Sequence, residues 1–174
     1  MNLSTTSTVV FFLCLCVLPS YSQESVTDLK PLLQDASYVM NRFDEVATGL
    51  DVEINGWTVD AATKKVFHHE LAATLRNSNL EKVGLAALLT RPNISNADIF
   101  DVYATLEAVA SELDGQASNA ANWGSSQARS IEPAQLGSKA LTLAANIGVA
   151  LRSKIAAQEA ELAACMTRAQ NVHR

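Results

Sequence analysis

The apolar residues that follow position 28 recur every three or four positions, and this spacing constrains the fold more than any other feature of the chain. The steps alternate between three and four along Leu29, Leu32, Ala36, Val39, Phe43, Val46 and Leu50. A period near 3.5 places these side chains on one face of an α-helix. Such a face is stable only when it packs against other apolar faces, so several amphipathic helices are expected to build the core.

Local patterns predict where the first two helices begin or break. The first helix is expected to start just before Leu29, which places Pro31 in its first turn, where a proline is tolerated. The second apolar-periodic block covers residues 58–90. Ser78 and Glu81 form the Ser-x-x-Glu pattern of a helix start inside this block. The second helix is therefore expected to kink or to split there.

Two further blocks complete the helical pattern. The third is expected to begin at a cap formed by Ser95 or Asn96, and to end near Gly115 or, if the helix passes through that glycine, near Trp123. The fourth begins around Pro133 and carries one long apolar stripe: Leu136, Ala140, Leu143, Ile147, Leu151, Ile155, Leu162 and Met166. This stripe is expected to face the core along its whole length.

These blocks predict an all-α fold, an antiparallel up-down bundle of four long helices. Connections of only a few residues force neighbouring helices to run in opposite directions. The chain has many alanines, only 7 glycines and 4 prolines, a composition that favours helices. If the second helix splits, a five-helix bundle is the alternative.

Residues 1–22 are predicted to be a signal peptide. Val9–Leu18 is an unbroken apolar run, and Pro19 with the small-x-small triplet at 20–22 follows it as a cleavage site before Gln23. This arrangement is typical of exported proteins. The run is about half of the roughly 20 residues that a membrane-spanning helix needs.

Cleavage is expected to leave residues 23–174 as one helical domain, secreted or periplasmic, with 171–174 as a disordered tail. No stable membrane insertion is expected after cleavage, because Arg152 and Lys154 interrupt the apolar run of the last helix.

Cysteine usage predicts a fold without an intrachain disulfide. Cys14 and Cys16 leave with the signal peptide, so Cys165 is the remaining thiol of the mature chain. Cys165 follows Leu162 by three residues on an apolar line, which favours a core position. Pairing of this thiol between two chains is the alternative.

The charge of the chain argues against nucleic-acid binding. The formal net charge is -5, and no run of lysines and arginines provides a local positive field. Phosphate backbones are attracted by such fields.

The stretch KKVFHHELAATL, residues 64–75, contains two adjacent histidines and a glutamate within a helical pattern. At about 100° per residue, His69 turns to solvent, His68 lies at the boundary and Glu70 turns toward a neighbouring helix. Residues that bind one metal ion from a helix are three or four positions apart, so this stretch does not predict a metal site. The favoured interpretation is that both histidines are solvated or lie at the boundary of the helix. The alternative is that His68 and Glu70 lean toward groups on another helix.

No motif for catalysis or cofactor binding is found in the sequence. Gly-x-Ser-x-Gly, Cys-x-x-Cys-His, repeated Glu-x-x-His and glycine-rich phosphate loops do not occur. These patterns supply nucleophiles, haem attachment, metal ligands and phosphate contacts. The sequence therefore predicts a protein without enzymatic activity and without a cofactor.

Two tryptophans are the remaining candidates for a functional surface. Trp57 and Trp123 lie at the predicted ends of the first and third helices, which meet at the same pole of an up-down bundle. They are expected either to close the core or to form a shared rim for a ligand or partner.

The sequence thus predicts an exported, non-enzymatic helical bundle that acts by protein-protein contact or self-association. The alternative is a carrier of a small apolar ligand, with a pocket lined by Phe43, Phe67, Phe100 and Tyr103. The alanine-rich last helix disfavours a large cavity, because small residues let helices approach closely.

Overall fold

The computed structural model describes residues 23–124 and 127–172, and within these ranges the chain is helical without a β-strand. Four long helices in these ranges pack together, α1 Gln23–Ile54, α2 Ala61–Leu88, α3 Asn96–Trp123 and α4 Ile131–Val172. A short 3₁₀ helix, Gln127–Ser130, leads into α4. The predicted all-helical bundle is confirmed. The predicted signal peptide, residues 1–22, lies outside the described residues.

The predicted stripe of α1 lies at the centre of the core. All of its members are buried except Leu32, which is partly buried against the same cluster. The residues of α3 that pack against it are Ile99, Val102, Leu106, Val109 and Leu113. The buried residues of α4 are confined to its first half and include Leu136, Ala140, Leu143, Ala144 and Ile147.

The prediction that Pro31 falls in the first turn of α1 is wrong, because the helix begins at Gln23. Pro31 cannot donate a hydrogen bond to the carbonyl four residues earlier, which removes one bond from the helix. The buried stripe that follows stabilises the helix on the far side of this position, so the helix continues through the proline.

The predicted split of the second helix is also wrong. Asp60 caps α2, its carboxylate accepting a hydrogen bond from the Thr63 amide at 2.9 Å, and the helix is assigned without interruption to Leu88. Ser78 is buried because it lies two turns from both Leu71 and Leu85 on the packed face. Packing on both sides of Ser78 outweighs its local preference for a helix start, so the five-helix alternative does not apply.

Helix α3 begins at the predicted cap and passes through Gly115. Ser95 and Asp98 form a capping box, and α3 then continues to Trp123. Nothing lies within 4 Å of the position that a Cβ on Gly115 would occupy. The glycine therefore faces solvent in a regular helix, and its effect is limited to weakening the helix locally.

Helices α3 and α4 approach closely through small residues. A Cβ on Gly137 would lie 3.2 Å from Leu113 Cβ and 3.3 Å from the Ala110 carbonyl oxygen. A Cβ on Gly148 would lie 3.5 Å from the nearest ring carbon of Tyr103. Small residues at these positions allow the two helices to pack backbone against side chain.

The expectation that the whole stripe of α4 faces the core is wrong for its second half. Gln158 accepts a hydrogen bond from Asn96 at 2.8 Å, at the start of α3. Residues 159–172 follow Gln158, and we call them the distal segment. Leu162 and Met166 in this segment are 63% and 57% exposed. The stripe continues in the sequence, but no described helix buries Leu162 and Met166. The segment predicted as a tail, 171–174, begins inside α4, which extends to Val172.

Candidate functional site

Trp57, Phe67 and Trp123 form a row of aromatic rings where α1 ends, α2 begins and α3 ends. The ring centroids of Trp57 and Phe67 are 5.4 Å apart in an edge-on arrangement, and those of Phe67 and Trp123 are 5.7 Å apart and stacked. The Thr58 amide donates to the Trp123 carbonyl at 3.0 Å, which joins the α1–α2 connection to the end of α3. The structure thus brings the two predicted tryptophans to one place, with Phe67 between them.

A tight turn at the end of α1 directs Trp57 into the core. The Gly56 amide donates to the Glu53 carbonyl and the Trp57 amide to the Ile54 carbonyl, so the chain folds back over its own last turn. Trp57 is 2% exposed and Trp123 is half-buried. The indole nitrogen Nε1 of Trp57 is buried without a hydrogen-bond partner among the described residues. These contacts close the core at this end, where Trp57 is buried while Phe67 and Trp123 are partly exposed.

The two histidines of the stretch 64–75 have different surroundings. His68 is half-buried and its Nδ1 lies 2.6 Å from Asp51 Oδ1, so it contacts α1. His69 is exposed, as the helical wheel predicts. The His68–Asp51 pair joins α2 to the last turns of α1, beside the Lys64 amine that donates to the Asn55 carbonyl at 2.8 Å.

Glu70 does not turn toward a neighbouring helix, and this expectation is wrong. Glu70 is exposed, and Val66 one turn earlier is 51% exposed. The buried face of α2 is centred on Leu71, Ser78 and Leu85. Counting Val66 as a core residue widens the expected face on one side by about one residue position, roughly 100°, and this places Glu70 inside it.

No metal centre is assembled from the part of the chain that the structure describes. No group of three or more His, Cys, Asp and Glu side chains lies close enough there to hold an ion. His68 and Asp51 form a pair without a third such side chain among the described residues. The arrangement fits a contact between helices better than a nucleophile activated by a base.

A charged groove, which the sequence did not predict, lies between α1 and the start of α4. Its volume is about 350 Å³, and Arg42, Glu53 and Glu132 are among its lining residues. Arg42 forms ion pairs with Glu45 and Glu132 and so joins the two helices. One carboxylate oxygen of Glu53 is buried and has no hydrogen-bond partner among the described residues. The lining residues come from distant parts of the sequence, so only the Arg42–Glu45 spacing on one helix could have suggested a contact.

The aromatic residues predicted to line a ligand pocket do not come together. Phe43 is fully buried in the core and Phe67 is enclosed by the two tryptophans. Phe100 is 54% exposed, with its ring 5.9 Å from that of Tyr103 on the outside of α3.

The distal part of α4 carries exposed apolar side chains that follow one another on a helix face. Ile155, Leu162 and Met166, which we call the distal face, are 37%, 63% and 57% exposed. Cys165 beside them is half-buried. The Lys154 amine donates to the Ile94 carbonyl and Gln158 accepts from Asn96, and these two bonds join α4 to the start of α3. Burial lowers the pKa of Lys154, and the nearby Asp98 opposes this shift.

By length and composition, α4 also qualifies as a membrane-crossing helix over Ile131–Asn171, with 22% of its apolar window buried. Core helices of globular proteins pass the same test, and the first half of α4 is such a core helix.

Comparisons with protein-family models, with curated proteins and with solved structures found no match to this chain. Functional inference therefore depends on the chemistry and exposure of its own residues.

Proposed function

We propose that this is an exported, non-enzymatic helical-bundle protein that acts by contact with another protein surface, which is either a second copy or a different protein. The contact surface is the distal face of α4. Export depends on the signal peptide at residues 1–22, and the helices of the mature chain run up and down in an antiparallel bundle.

One observation carries the proposal: the apolar stripe of α4 continues past the end of the bundle. Leu162 and Met166 are more than half exposed, whereas Ala144 and Ile147 on the same helix are fully buried. Exposed apolar side chains that are contiguous on one helix face mark interaction sites more often than isolated ones do. A helix of about 14 residues is marginal in water without packing, so a partner would also stabilise the distal segment.

The antiparallel orientation is supported by contacts between helices. Asp44 on α1 pairs with Lys82 on α2, and Asp51 pairs with His68. Residues later in α1 therefore contact residues earlier in α2. In the same way, Asn96 near the start of α3 meets Gln158 late in α4.

The carrier alternative has less support. The aromatic residues expected to line a pocket are separated between the core, the tryptophan row and the outside of α3. The close α3–α4 approach at Gly137 leaves little space between these helices.

Native mass spectrometry of the mature protein, purified without denaturation from the compartment to which it is exported, tests the contact function. We expect the mass of a complex that contains a second protein chain. A Leu162→Ser, Met166→Ser double variant is expected to lose that chain, because its distal face is no longer apolar. The matched control is Leu80→Ser, Val83→Ser, which changes two side chains that are 73% and 74% exposed on α2.

A bare monomer in this experiment contradicts the contact function, and a monomer with a bound small mass favours the carrier. Amino-terminal sequencing of the same sample tests export: a chain that begins at Gln23 supports the signal peptide, and a chain that begins at Met1 rules it out.

A further inference from the structure

We infer that Asn93, in the connection between α2 and α3, carries an N-linked oligosaccharide in the secreted protein. Asn93, Ile94 and Ser95 form the Asn-x-Ser acceptor pattern, with a residue other than proline in the middle. The inference goes beyond the contact function and rests only on the proposed export. It requires the secreted form rather than the periplasmic one, because this pattern is modified in the eukaryotic secretory pathway.

The place of this triplet in the fold is the first support. Asn93 is the one asparagine of residues 23–174 that is followed two positions later by serine or threonine. Most described residues are helical, and the triplet lies in one of the short stretches between helices. A triplet that matched by chance would most often fall inside a helix. Its position in a surface connection therefore favours an acceptor site.

The backbone presents both reactive side chains of the pattern on one side. Ile94 is 7% exposed and belongs to the core cluster, whereas Asn93 and Ser95 on either side of it are exposed. Ser95 has an extended backbone, with φ −73° and ψ 159°. Residues two apart in an extended chain face the same way, but in a helix they are about 200° apart. An enzyme surface can therefore contact the Asn93 amide and the Ser95 hydroxyl together.

The side chain of Asn93 has no structural role that an oligosaccharide would disturb. It makes no hydrogen bond with any residue in the described part of the chain. Other asparagines near helix ends are used differently: Asn96 donates to Gln158 at 2.8 Å, and Asn55 donates to two carbonyls of α1. A bulky, hydrophilic group on Asn93 therefore replaces contacts with water only.

The transfer forms a bond between Asn93 Nδ2 and C1 of the first sugar. The bond between C1 and the diphosphate of the lipid-linked donor breaks, and the lipid diphosphate leaves with the electron pair. One amide proton of Asn93 is lost to a base of the transferase. The product is a neutral secondary amide, so the charge of the chain is unchanged.

The hydrogen bonds of the folded protein place this transfer before α3 is complete. The Ser95 hydroxyl donates to Asp98 Oδ2 at 2.7 Å and accepts from the Asp98 amide at 3.1 Å. The acceptor pattern requires the same hydroxyl, which cannot serve the transferase while it caps the helix. Transfer therefore occurs during translocation, before the first turn of α3 forms, and a weaker cap does not reduce it.

Peptide mass spectrometry of the protein secreted by its natural source tests the inference, with and without treatment by a peptide N-glycosidase. We expect one oligosaccharide. The glycosidase converts the modified asparagine to aspartate, and this change is expected at position 93.

Variants of the full chain in a eukaryotic secretory host test the pattern itself. Asn93→Gln alone and Ser95→Ala alone are each expected to lose the modification completely. Ser95→Thr keeps the hydroxyl and Asp98→Asn weakens only the cap, so both are expected to retain it. Asn79→Gln is the matched control, since Asn79 is an exposed asparagine on α2 with Glu81 two positions later.

Three results would overturn the inference. A secreted chain that begins at Gln23 and is unmodified at Asn93 overturns it while export stands. A modification that persists in Asn93→Gln also overturns it, because the sugar is then attached elsewhere. A chain that keeps Met1 and carries no oligosaccharide overturns export and the inference together. The contact function is judged separately, by native mass spectrometry of the Asn93→Gln variant.

Discussion

Ser95 and Asp98 hold the first turn of α3 by hydrogen bonds in both directions. The Asp98 amide donates to Ser95 Oγ at 3.1 Å, and Asp98 Oδ2 accepts from the Ser95 amide at 3.1 Å and from its hydroxyl at 2.7 Å. The hydrogen bond from the Ser95 hydroxyl is the main reason that the pKa of Asp98 lies below its ordinary value. Local sequence was sufficient to predict this cap, because all of its atoms come from four consecutive residues.

The lowered pKa of Asp98 predicts a pH-dependent contribution to stability. A carboxyl whose pKa is lower in the folded state stabilises the fold above its unfolded pKa, and this contribution is lost as pH falls through the folded pKa. Asp98→Asn is therefore expected to reduce the free energy of unfolding near pH 7, and to have a smaller effect as pH falls through the lowered pKa of Asp98. Urea unfolding at several pH values measures the difference.

Asp114→Asn is the matched control for this series, since Asp114 is an exposed residue later in α3. A difference between wild type and Asp98→Asn that stays constant with pH would argue against the cap as its source. Ser95→Ala removes the acceptor of the same cap and is expected to lower the free energy of unfolding by about 1 kcal/mol near pH 7.

The histidine stretch shows where reasoning from single residues ends. The wheel predicts that His69 is exposed and that His68 lies at a boundary, and both positions agree with the structure. It could not identify Asp51 as the partner of His68, because the pair joins two helices whose relative register is set by packing. The error on Glu70 has the same cause, since the centre of the buried face depends on which apolar residues meet a neighbour.

At the scale of elements, periodicity predicted the four helices but not all of their limits. Ser78 matched the pattern of a helix start, yet the buried residues Leu71 and Leu85 on either side hold α2 as one helix. The stripe of α4 was predicted as core to Met166, although the neighbouring helices are too short to reach it. Period alone identifies an apolar face, and the lengths of the other helices decide how much of it is covered.

Three glycines inside helices provide a test of the close α3–α4 packing. Gly115→Ala is expected to raise the free energy of unfolding by about 1 kcal/mol, because alanine favours the helix and nothing lies within 4 Å of the new Cβ. Gly49→Ala on α1 has equally open surroundings and serves as a second case. Gly137→Val is expected to lower the free energy of unfolding by about 1–3 kcal/mol, since the added atoms overlap Leu113 and the Ala110 carbonyl.

Urea unfolding of the three variants under one condition compares them directly. Gly115→Ala and Gly49→Ala control for helix propensity, which acts in the same direction at all three positions. A Gly137→Val variant that is as stable as the wild type would show that α3 and α4 can separate without loss, contrary to the close approach described above.

In the whole molecule, the bundle and the distal segment have different sources of stability. The bundle is held by the common core of α1, α3 and α4, with α2 contributing Leu71, Leu85 and Leu88. The distal segment gains little from burial, because nearly all of its described side chains are exposed. Its alanine-rich sequence favours a helix, and further stabilisation has to come from another surface.

Removal of the residues after Gln158 is expected to distinguish the stability of the bundle from the contribution of the distal segment. At about 1 µM the free energy of unfolding should change by less than about 1 kcal/mol, because little apolar area is lost from the bundle. If the partner is a second copy, the wild type should gain stability at about 100 µM and the shortened chain should not, because association stabilises the folded state. Urea unfolding at both concentrations measures this difference.

A chain that ends at Leu151 is the matched control for this truncation. It also lacks Lys154 and Gln158, which bind the Ile94 carbonyl and Asn96 at the start of α3. This shorter chain is expected to be less stable than the first truncation at both concentrations. If removal of the residues after Gln158 already destabilises the protein at low concentration, the distal segment packs on its own bundle, and its apolar face is not available to a second copy.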